Sequence, residues 1–321
     1  MSARGFVSFI CVVWCQCLAS CGGSAAAPAQ TPASSANTWQ VVLTINSTSG
    51  GRYLGITGVT LDARGNLFLA DLDNDLIYKY SPSGTELAKW GGHGSGPGQL
   101  EAPDKITFDE EGNFYVTEVG SGSAGDNSRV QKFSSAGLPL AQWGTFGSEP
   151  GQFNTPVGIA VDHRGIIYVA DVGNHRVQTL SALGQALGQW HTVGSGAGES
   201  TEIGYDLALD ASGNVYISDA HPFSDGSDHI QKFSPSGELL ETWGGTGSGP
   251  GLFNNPTGLI VDGKGNLFIA DTGNSRVQEL SPTGQYLAQW KVSLSFTSKV
   301  ALDAHGNIYV SDYNQVLRHS L

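Results

Sequence analysis

No cysteine occurs after residue 21: Cys11, Cys15, Cys17 and Cys21 are the whole complement. Residues 22–321 can therefore form neither a disulfide nor a thiolate metal site. Basic side chains are also scarce, with 16 Lys and Arg against 29 Asp and Glu, a net charge of −13. That balance repels polyphosphate, excludes nucleic acid as a partner, and favours cations or basic surfaces. No segment with helical periodicity stands out, so nothing would carry a catalytic serine elbow between strand and helix. The string "GGTGSGPG" at 244–251 has the glycine spacing of a phosphate loop, but no helix follows to lend its N-terminal dipole. Glycine itself is abundant: 45 Gly and 13 Pro among 321 residues, with 39% apolar residues, read as many short strands joined by tight turns. The chain is expected to be all-β.

The N-terminus reads differently from the rest. "MSARGFVSFICVVWCQCLASC" has one Arg followed by an apolar run too short to span a bilayer, the layout of a secretory signal over residues 1–20. It closes on Leu18-Ala19-Ser20-Cys21, which resembles the lipobox of bacterial lipoproteins, with Cys21 as the lipid-bearing first residue of the mature chain. Residues 22–38, "GGSAAAPAQTPASSANT", are too poor in apolar side chains to fold and form a tether with ends about 23 Å apart. These features predict export to the cell envelope, with the protein facing the outside or the periplasm and touching the membrane only through the lipid.

From residue 39 onward the chain is a set of repeats. "DARGN" (62–66), "DEEGN" (109–113), "DHRGI" (162–166), "DASGN" (210–214), "DGKGN" (262–266) and "DAHGN" (303–307) each separate two β-rich apolar runs and read as hairpin turns. A third run, a second turn such as "SPSG", and a fourth run ending in Trp complete each unit. The tryptophans Trp39, Trp90, Trp143, Trp190, Trp243 and Trp290 are displaced relative to the Asp turns, so the chain opens with a fourth strand, "WQVVLTI", and closes with three. Joining the ends makes a six-bladed β-propeller over 39–321, of four-stranded antiparallel blades, closed by the N-terminal strand. Trp90, Trp190 and Trp290 lie 100 residues apart, with neighbouring spacings of 53 and 47, which implies blades in pairs and a pseudo-threefold axis.

The phrase "DVGNHRVQTL" (171–180) returns as "DTGNSRVQEL" (271–280). Together with "P-x-G-I/L-x-V-D" and "G-N-I/L-Y/F-V/I-A-D", these residues resemble NHL-repeat proteins across most of 58–321. Departures occur at Leu76 and His229, which stand where Arg is expected, and at Glu118, which stands for Asp. Asp171, Asn174, Arg176, Asp271, Asn274 and Arg276 are read as structural. Each Asp is expected to accept N–H bonds from its own loop, with the Arg close enough to pair with it or to span blades. A monomer is expected.

The resemblance implies two kinds of chemistry: a zinc-dependent lyase acting on peptidyl-α-hydroxyglycine, and metal-dependent lactonases among related six-bladed propellers. Both hold their metal on the ring axis, at the entrances of the innermost strands. Here those entrances contain no histidine, so a three-histidine zinc site is not expected. The axial candidates are Asp104, Lys105, Tyr205 and Asp206, with Lys105 and Lys299 competing for the carboxylates. RNA binding, known among NHL proteins, fails on charge and address. A binding propeller for an extracellular or envelope protein, or for a small ligand, is therefore preferred, with a metal-dependent hydrolase or lyase as the alternative. The repeat is broken twice, by "EVGSGSAGDNSR" (118–129) and "DAHPFSDGSDH" (219–229). Both insertions belong to one face and are expected to wall a groove lined by Glu118, Asp126, Asp219, His221, Asp225 and Asp228. Asp225 and Asp228 would offer oxygens to Ca²⁺.

Overall fold

The computed structural model describes residues 38–44, 55–120, 127–191, 206–220, 228–294 and 298–321. Among them, 24 strands form six four-stranded antiparallel sheets within a compact unit from Trp39 to Leu321. Blade 1 contains β2 (Ile56–Leu61), β3 (Leu67–Asp71), β4 (Leu76–Tyr80) and β5 (Glu86–Gly91). Blade 2 contains β6 (Pro103–Phe108), β7 (Phe114–Glu118), β8 (Arg129–Phe133) and β9 (Pro139–Trp143). Blade 3 follows with β10 (Pro156–Val161), β11 (Ile167–Asp171), β12 (Arg176–Leu180) and β13 (Ala186–His191). Blade 4 has β14 (Asp206–Leu209), β15 (Val215–Asp219), β16 (His229–Phe233) and β17 (Leu239–Gly244). Blade 5 has β18 (Pro256–Val261), β19 (Leu267–Asp271), β20 (Arg276–Leu280) and β21 (Tyr286–Lys291). Blade 6 has β22 (Val300–Leu302), β23 (Ile308–Asp312) and β24 (Gln315–His319), with β1 (Gln40–Thr44) as its outermost strand.

The Asp turns fold as their composition requires. Asp62 Oδ1 accepts the N–H groups of Arg64 and Asn66, Oδ2 accepts the Asn66 amide, and Gly65 takes the positive φ of 76° that the turn needs. The same carboxylate-centred turn recurs at Asp109, Asp162, Asp210, Asp262 and Asp303. Middle strands β3, β7, β11, β15 and β19 are buried along their whole length. They are sandwiched between neighbouring blades, which explains their unbroken apolar sequence. The tryptophans seal the blade boundaries: a Cβ at Gly137, Gly184, Gly237 or Gly284 would collide with Trp90, Trp143, Trp190 or Trp243 respectively. Each of those glycines belongs to the second turn of the following blade, so the turn closes over the preceding blade's indole.

Outer strands are exposed edges, and the chain blunts them by one device repeated five times. In β5, β9, β13, β17 and β21 a β-bulge leaves one residue without a cross-strand partner. That residue is Leu87, Leu140, Leu187, Leu240 or Leu287, each about half exposed. A bulge twists the edge and breaks the ladder that another chain would have to extend.

Ring closure is as expected, with one correction. Gln40, Val41, Leu43 and Thr44 pair with Arg318, Leu317, Val316 and Gln315, and Ile56 N–H donates to Tyr313 O at 2.9 Å across the seam. Trp39, however, does not end the outer strand as the other tryptophans do; it precedes β1, donates Nε1–H to Lys291 O at 2.8 Å and packs 5.3 Å from His319. Leu43 occupies the tryptophan's register, opposite Val316, as Trp190 lies opposite Val177. Trp39 is instead a tie between blades 5 and 6. Removal of residues 1–50 should expose β24 and strip Val42 and Leu43 from the core beside Val316. A loss of about 2–3 kcal/mol would lower Tm by roughly 5 °C or more. Calorimetry of the truncated protein tests this, and an unchanged transition would mean that β1 does not close the ring.

Candidate axial site

Each innermost strand begins at the ring axis, and aligning the strands on their turn aspartates places Gly58, Lys105, Gly158, Asp206, Gly258 and Lys299 at one level. Glycine alternates with charge around the ring. The glycines are required by close approach: a Cβ at Gly58 would strike Asp104 O, one at Gly158 would lie 2.8 Å from Leu207 N, and one at Gly258 would lie 2.7 Å from Ser298 O. The charged side chains fill the centre. Lys105 Nζ donates to Asp206 Oδ2 at 2.7 Å, and Lys299 Nζ is 4.0 Å from the same oxygen while donating to Thr257 O at 3.0 Å. Asp206 also accepts the N–H of Leu207 at 2.9 Å and of Leu259 at 3.2 Å, so one carboxylate ties blades 2, 4, 5 and 6. Asp104 is buried beside this cluster, and burial pushes its carboxyl above the usual range while Lys299 opposes the shift.

This arrangement does not fit the axial metal that the resemblance implies. Two ammonium groups already lie against the one shared carboxylate, and a divalent cation there would meet both at close range. No cluster of three or more His, Cys, Asp or Glu with metal-binding geometry occurs among the described residues. Of the axial candidates, Asp104, Lys105 and Asp206 come together, while Tyr205 lies outside the described residues.

Where the third strand starts with Arg, the crossing from the previous blade is clasped. Asp171 Oδ2 accepts Arg176 Nε at 2.7 Å, Asn174 Nδ2 at 2.9 Å and Gln178 Nε2 at 3.1 Å. Arg176 then donates to the carbonyls of Ser148, Glu149 and Gln152, and Asn174 to Gly147 O. Asp271, Asn274, Arg276 and Gln278 repeat this on Gly247, Ser248, Gly249 and Leu252. The backbone N–H groups taken by Asp171 and Asp271 come from Asn154 and Asn254 in the crossing, not from their own loops as expected; Asp71, by contrast, does accept Asn74 N–H from its own.

The groove residues are distributed differently from the expectation. Glu118 is fully buried, and takes the Asp place in a third clasp with Arg129 at 2.8 Å and Gln131 at 2.7 Å. Asp219 and Asp228 are buried too, and Asp228 Oδ2 accepts Thr246 Oγ1–H at 3.1 Å. Glu118 and Asp219 face inward as the last residues of β7 and β15, and Asp228 immediately precedes β16, its carbonyl accepting Gly245 N–H at 2.9 Å. Asp126, His221 and Asp225 lie outside the described residues, as does Cys21. Missed by sequence reasoning were Gln131, Gln178 and Gln278, whose recurrence two places after each Arg was the available signal.

In blade 4 the clasp loses its guanidinium. His229 Nε2 lies 3.2 Å from Asp219 Oδ2, which also accepts Gln231 Nε2–H at 3.0 Å. Burial, with Asp228 adding repulsion, pushes Asp219 up to about 8 from its ordinary 3.8. The folded protein thus holds a proton that the unfolded chain gives up. Its stabilising effect is full below pH 4 and is lost progressively up to about pH 8, at no more than about 1.4 kcal/mol per pH unit. Asp219→Asn should flatten that decline and melt higher than the native protein at pH 8. Parallel melting curves for the two proteins from pH 5 to 8 would refute it.

Comparison with known proteins agrees with this architecture. Residues 153–180 and 253–280 match the NHL repeat, and both segments hold a complete Asp–Arg–Gln clasp. Human NHL repeat-containing protein 3 is 28% identical over 186 residues, covering 56% of this chain and 39% of that protein. Peptidyl-glycine alpha-amidating monooxygenase B of Xenopus laevis is 31% identical over 149 residues, 43% of this chain and 17% of that protein. The chain thus matches well under half the length of either relative. Virginiamycin B lyase from Staphylococcus aureus superposes with a TM-score of 0.58 at 11% identity, over 88% of this chain and 99% of that one, a likeness of fold alone. The protein is a six-bladed β-propeller in which two segments, in blades 3 and 5, match the NHL repeat.

Proposed function

We propose that this propeller is a lipid-anchored binding scaffold of the cell envelope, whose crossing-loop face engages an extracellular or envelope protein or a small ligand without covalent chemistry. The observation that carries this reading is the pinning of both insertions. The segment 118–129 is closed at its base by the buried Glu118–Arg129 pair, and the segment 219–229 by Asp219 and His229. Variable loops on fixed stems are how rigid scaffolds present binding surfaces. The net charge of −13 favours a basic partner over an acidic one. A hydrolase or lyase with an axial metal, the alternative drawn from the resemblance, is disfavoured by the Lys105–Asp206 pair at the axis.

Two experiments separate the parts of the reading. Shortening both insertions to "DTGNSR" should remove partners recovered by crosslinking and pull-down from envelope extract while the protein still unfolds in a single cooperative transition; full retention of partners would place the interface elsewhere. Cys21→Ala should abolish metabolic labelling with a fatty acid and release the protein from membranes, and equal labelling in that variant would dismiss the anchor.

A further inference from the structure

We propose that the cleft between blades 6 and 1, among the Asp turns, is a binding site for a phosphate ester held by Arg64 and Arg318. The cleft has a volume of about 410 Å³ and lies between the turns of Asp303 and Asp62. Arg318 and Tyr309 line it from blade 6, and Arg64 and Pro82 from blade 1. It belongs to the end of the ring opposite the inserted segments, so the site rests neither on the loop-face reading nor on the lipid anchor.

The cleft between blades 2 and 3 is its counterpart, of the same volume. There Lys132 stands opposite Tyr115 in the sheet, as Arg318 stands opposite Tyr309, and Arg164 follows its turn aspartate by two residues, as Arg64 does. Both of those cations are neutralised inside their own blades. Lys132 Nζ is 2.9 Å from Asp109 Oδ2, and Arg164 Nη2 is 2.7 Å from Asp162 Oδ2. Between blades 6 and 1 the turn carboxylates are filled by other donors. Asp62 takes Lys79 at 3.0 Å, while Asp303 accepts His305 N–H, the backbone and amide N–H groups of Asn307, and Tyr309 O–H. Arg64 reaches Asp62 only through its backbone N–H, and its guanidinium has no ion pair or hydrogen bond among the described residues. Arg318 Nε is buried and likewise has no hydrogen-bond partner among them. The Tyr309 ring, 5.8 Å away, holds the Arg318 guanidinium in place without supplying an oxygen acceptor. A buried N–H without an acceptor is costly, and an anion provides one.

Two guanidinium groups on opposite walls select the geometry of that anion. A planar carboxylate is matched by one bidentate fork, whereas a tetrahedral phosphate turns oxygens towards two. At roughly 30 Å³ per non-hydrogen atom the cleft admits about 13 such atoms, room for one phosphate and a small alcohol such as glycerol. The acidic surplus of the whole chain, 29 Asp and Glu against 16 Lys and Arg, opposes a ligand with more phosphates. A free ester and a lipid headgroup share this chemistry.

The test is calorimetric titration of the full chain carrying Cys21→Ala with glycerol 3-phosphate and, separately, with propanoate. Glycerol 3-phosphate should bind saturably, about tenfold or more tightly than propanoate. Arg318→Met should weaken that binding by about tenfold or more. Lys132→Met, the matching change in the counterpart cleft, should leave it unaltered. If Arg318→Met does not fold, the shift of the Arg318 Nε–H resonance when glycerol 3-phosphate is added to the native protein replaces it. Sedimentation with phosphatidylglycerol vesicles that is lost in Arg318→Met would assign the ester to a lipid, and binding of the free ester without sedimentation would assign it to solution. Absence of saturable glycerol 3-phosphate binding, equal binding by Arg318→Met, an unmoved Arg318 resonance, or propanoate binding as tightly as the ester would each overturn the site.

Discussion

The structure depends on the buried carboxylate that ends the second strand of a blade. The crossings into blades 2, 3 and 5, residues 92–102, 144–155 and 245–255, are rich in glycine and lie outside the four-stranded sheets, and an unpaired buried carbonyl there is costly. In blades 2, 3 and 5 a guanidinium solves the problem, since five donors in a fixed fork can serve several carbonyls at once. Arg129, for example, reaches Ser95, Gly96 and Gln99 in the crossing from blade 1, and Gln142 on its own outer strand. Burying that cation then demands an anion, and Glu118, Asp171 and Asp271 provide it. Breaking such a pair costs about 3–5 kcal/mol, because the remaining charge is stranded. The carboxylate, the Arg and the Gln therefore work as one unit that docks a loop, which is why the phrase recurs nearly intact at 171–180 and 271–280.

Blades without that Arg resolve the same constraint differently. In blade 1 Leu76 stands in its place, and Asp71 turns to Asn74, accepting both its backbone N–H and its side-chain amide. In blade 4 the cation is replaced by an imidazole, and burial shifts Asp219 towards its neutral acid. A permanent charge pair becomes one that depends on a proton, at the base of the longer-than-usual segment 219–229. The tightest clasps and the most altered segment thus share one structural position, and differ only in how the carboxylate is compensated.

Fold was far more legible in the sequence than site. Turn aspartates and glycines act locally, through hydrogen bonds within five residues, so their spacing reports blade number directly. Pairing of β1 with β24 followed from counting strands. Trp39 misled because residue type was matched without register: the bulge at Val42 and the short outer strand place Leu43, not a tryptophan, opposite Val316. Glu118, Asp219 and Asp228 misled for a related reason. An acidic residue in a polar segment looks exposed, yet Glu118 and Asp219 are strand termini buried in the blade, and Asp228 is buried just before β16 begins. Burial there is decided by contacts some 15 to 30 residues away, as with Gln99 to Arg129 and Asn154 to Asp171, and local pattern does not carry them.

The axis shows how one requirement generates the next. Six innermost strands converge with their inner edges unpaired, so backbone N–H groups such as that of Leu259 point at the centre without a sheet partner. An apolar plug would leave them unsatisfied. Asp206 meets the need by accepting Leu259 N–H, but a lone carboxylate in that position would be a buried charge without compensation. Lys105 supplies the counter-charge from across the ring, and Lys299 adds a second ammonium that leans partly on the Thr257 carbonyl. Side chains of that length occupy the centre only if the neighbouring strands draw close, and Gly58, Gly158 and Gly258 allow it because any Cβ would strike the adjoining backbone. The alternation of glycine and charge is thus a consequence of the pseudo-threefold ring, and it places the Lys105–Asp206 ion pair at the centre, where the glycines leave room for it.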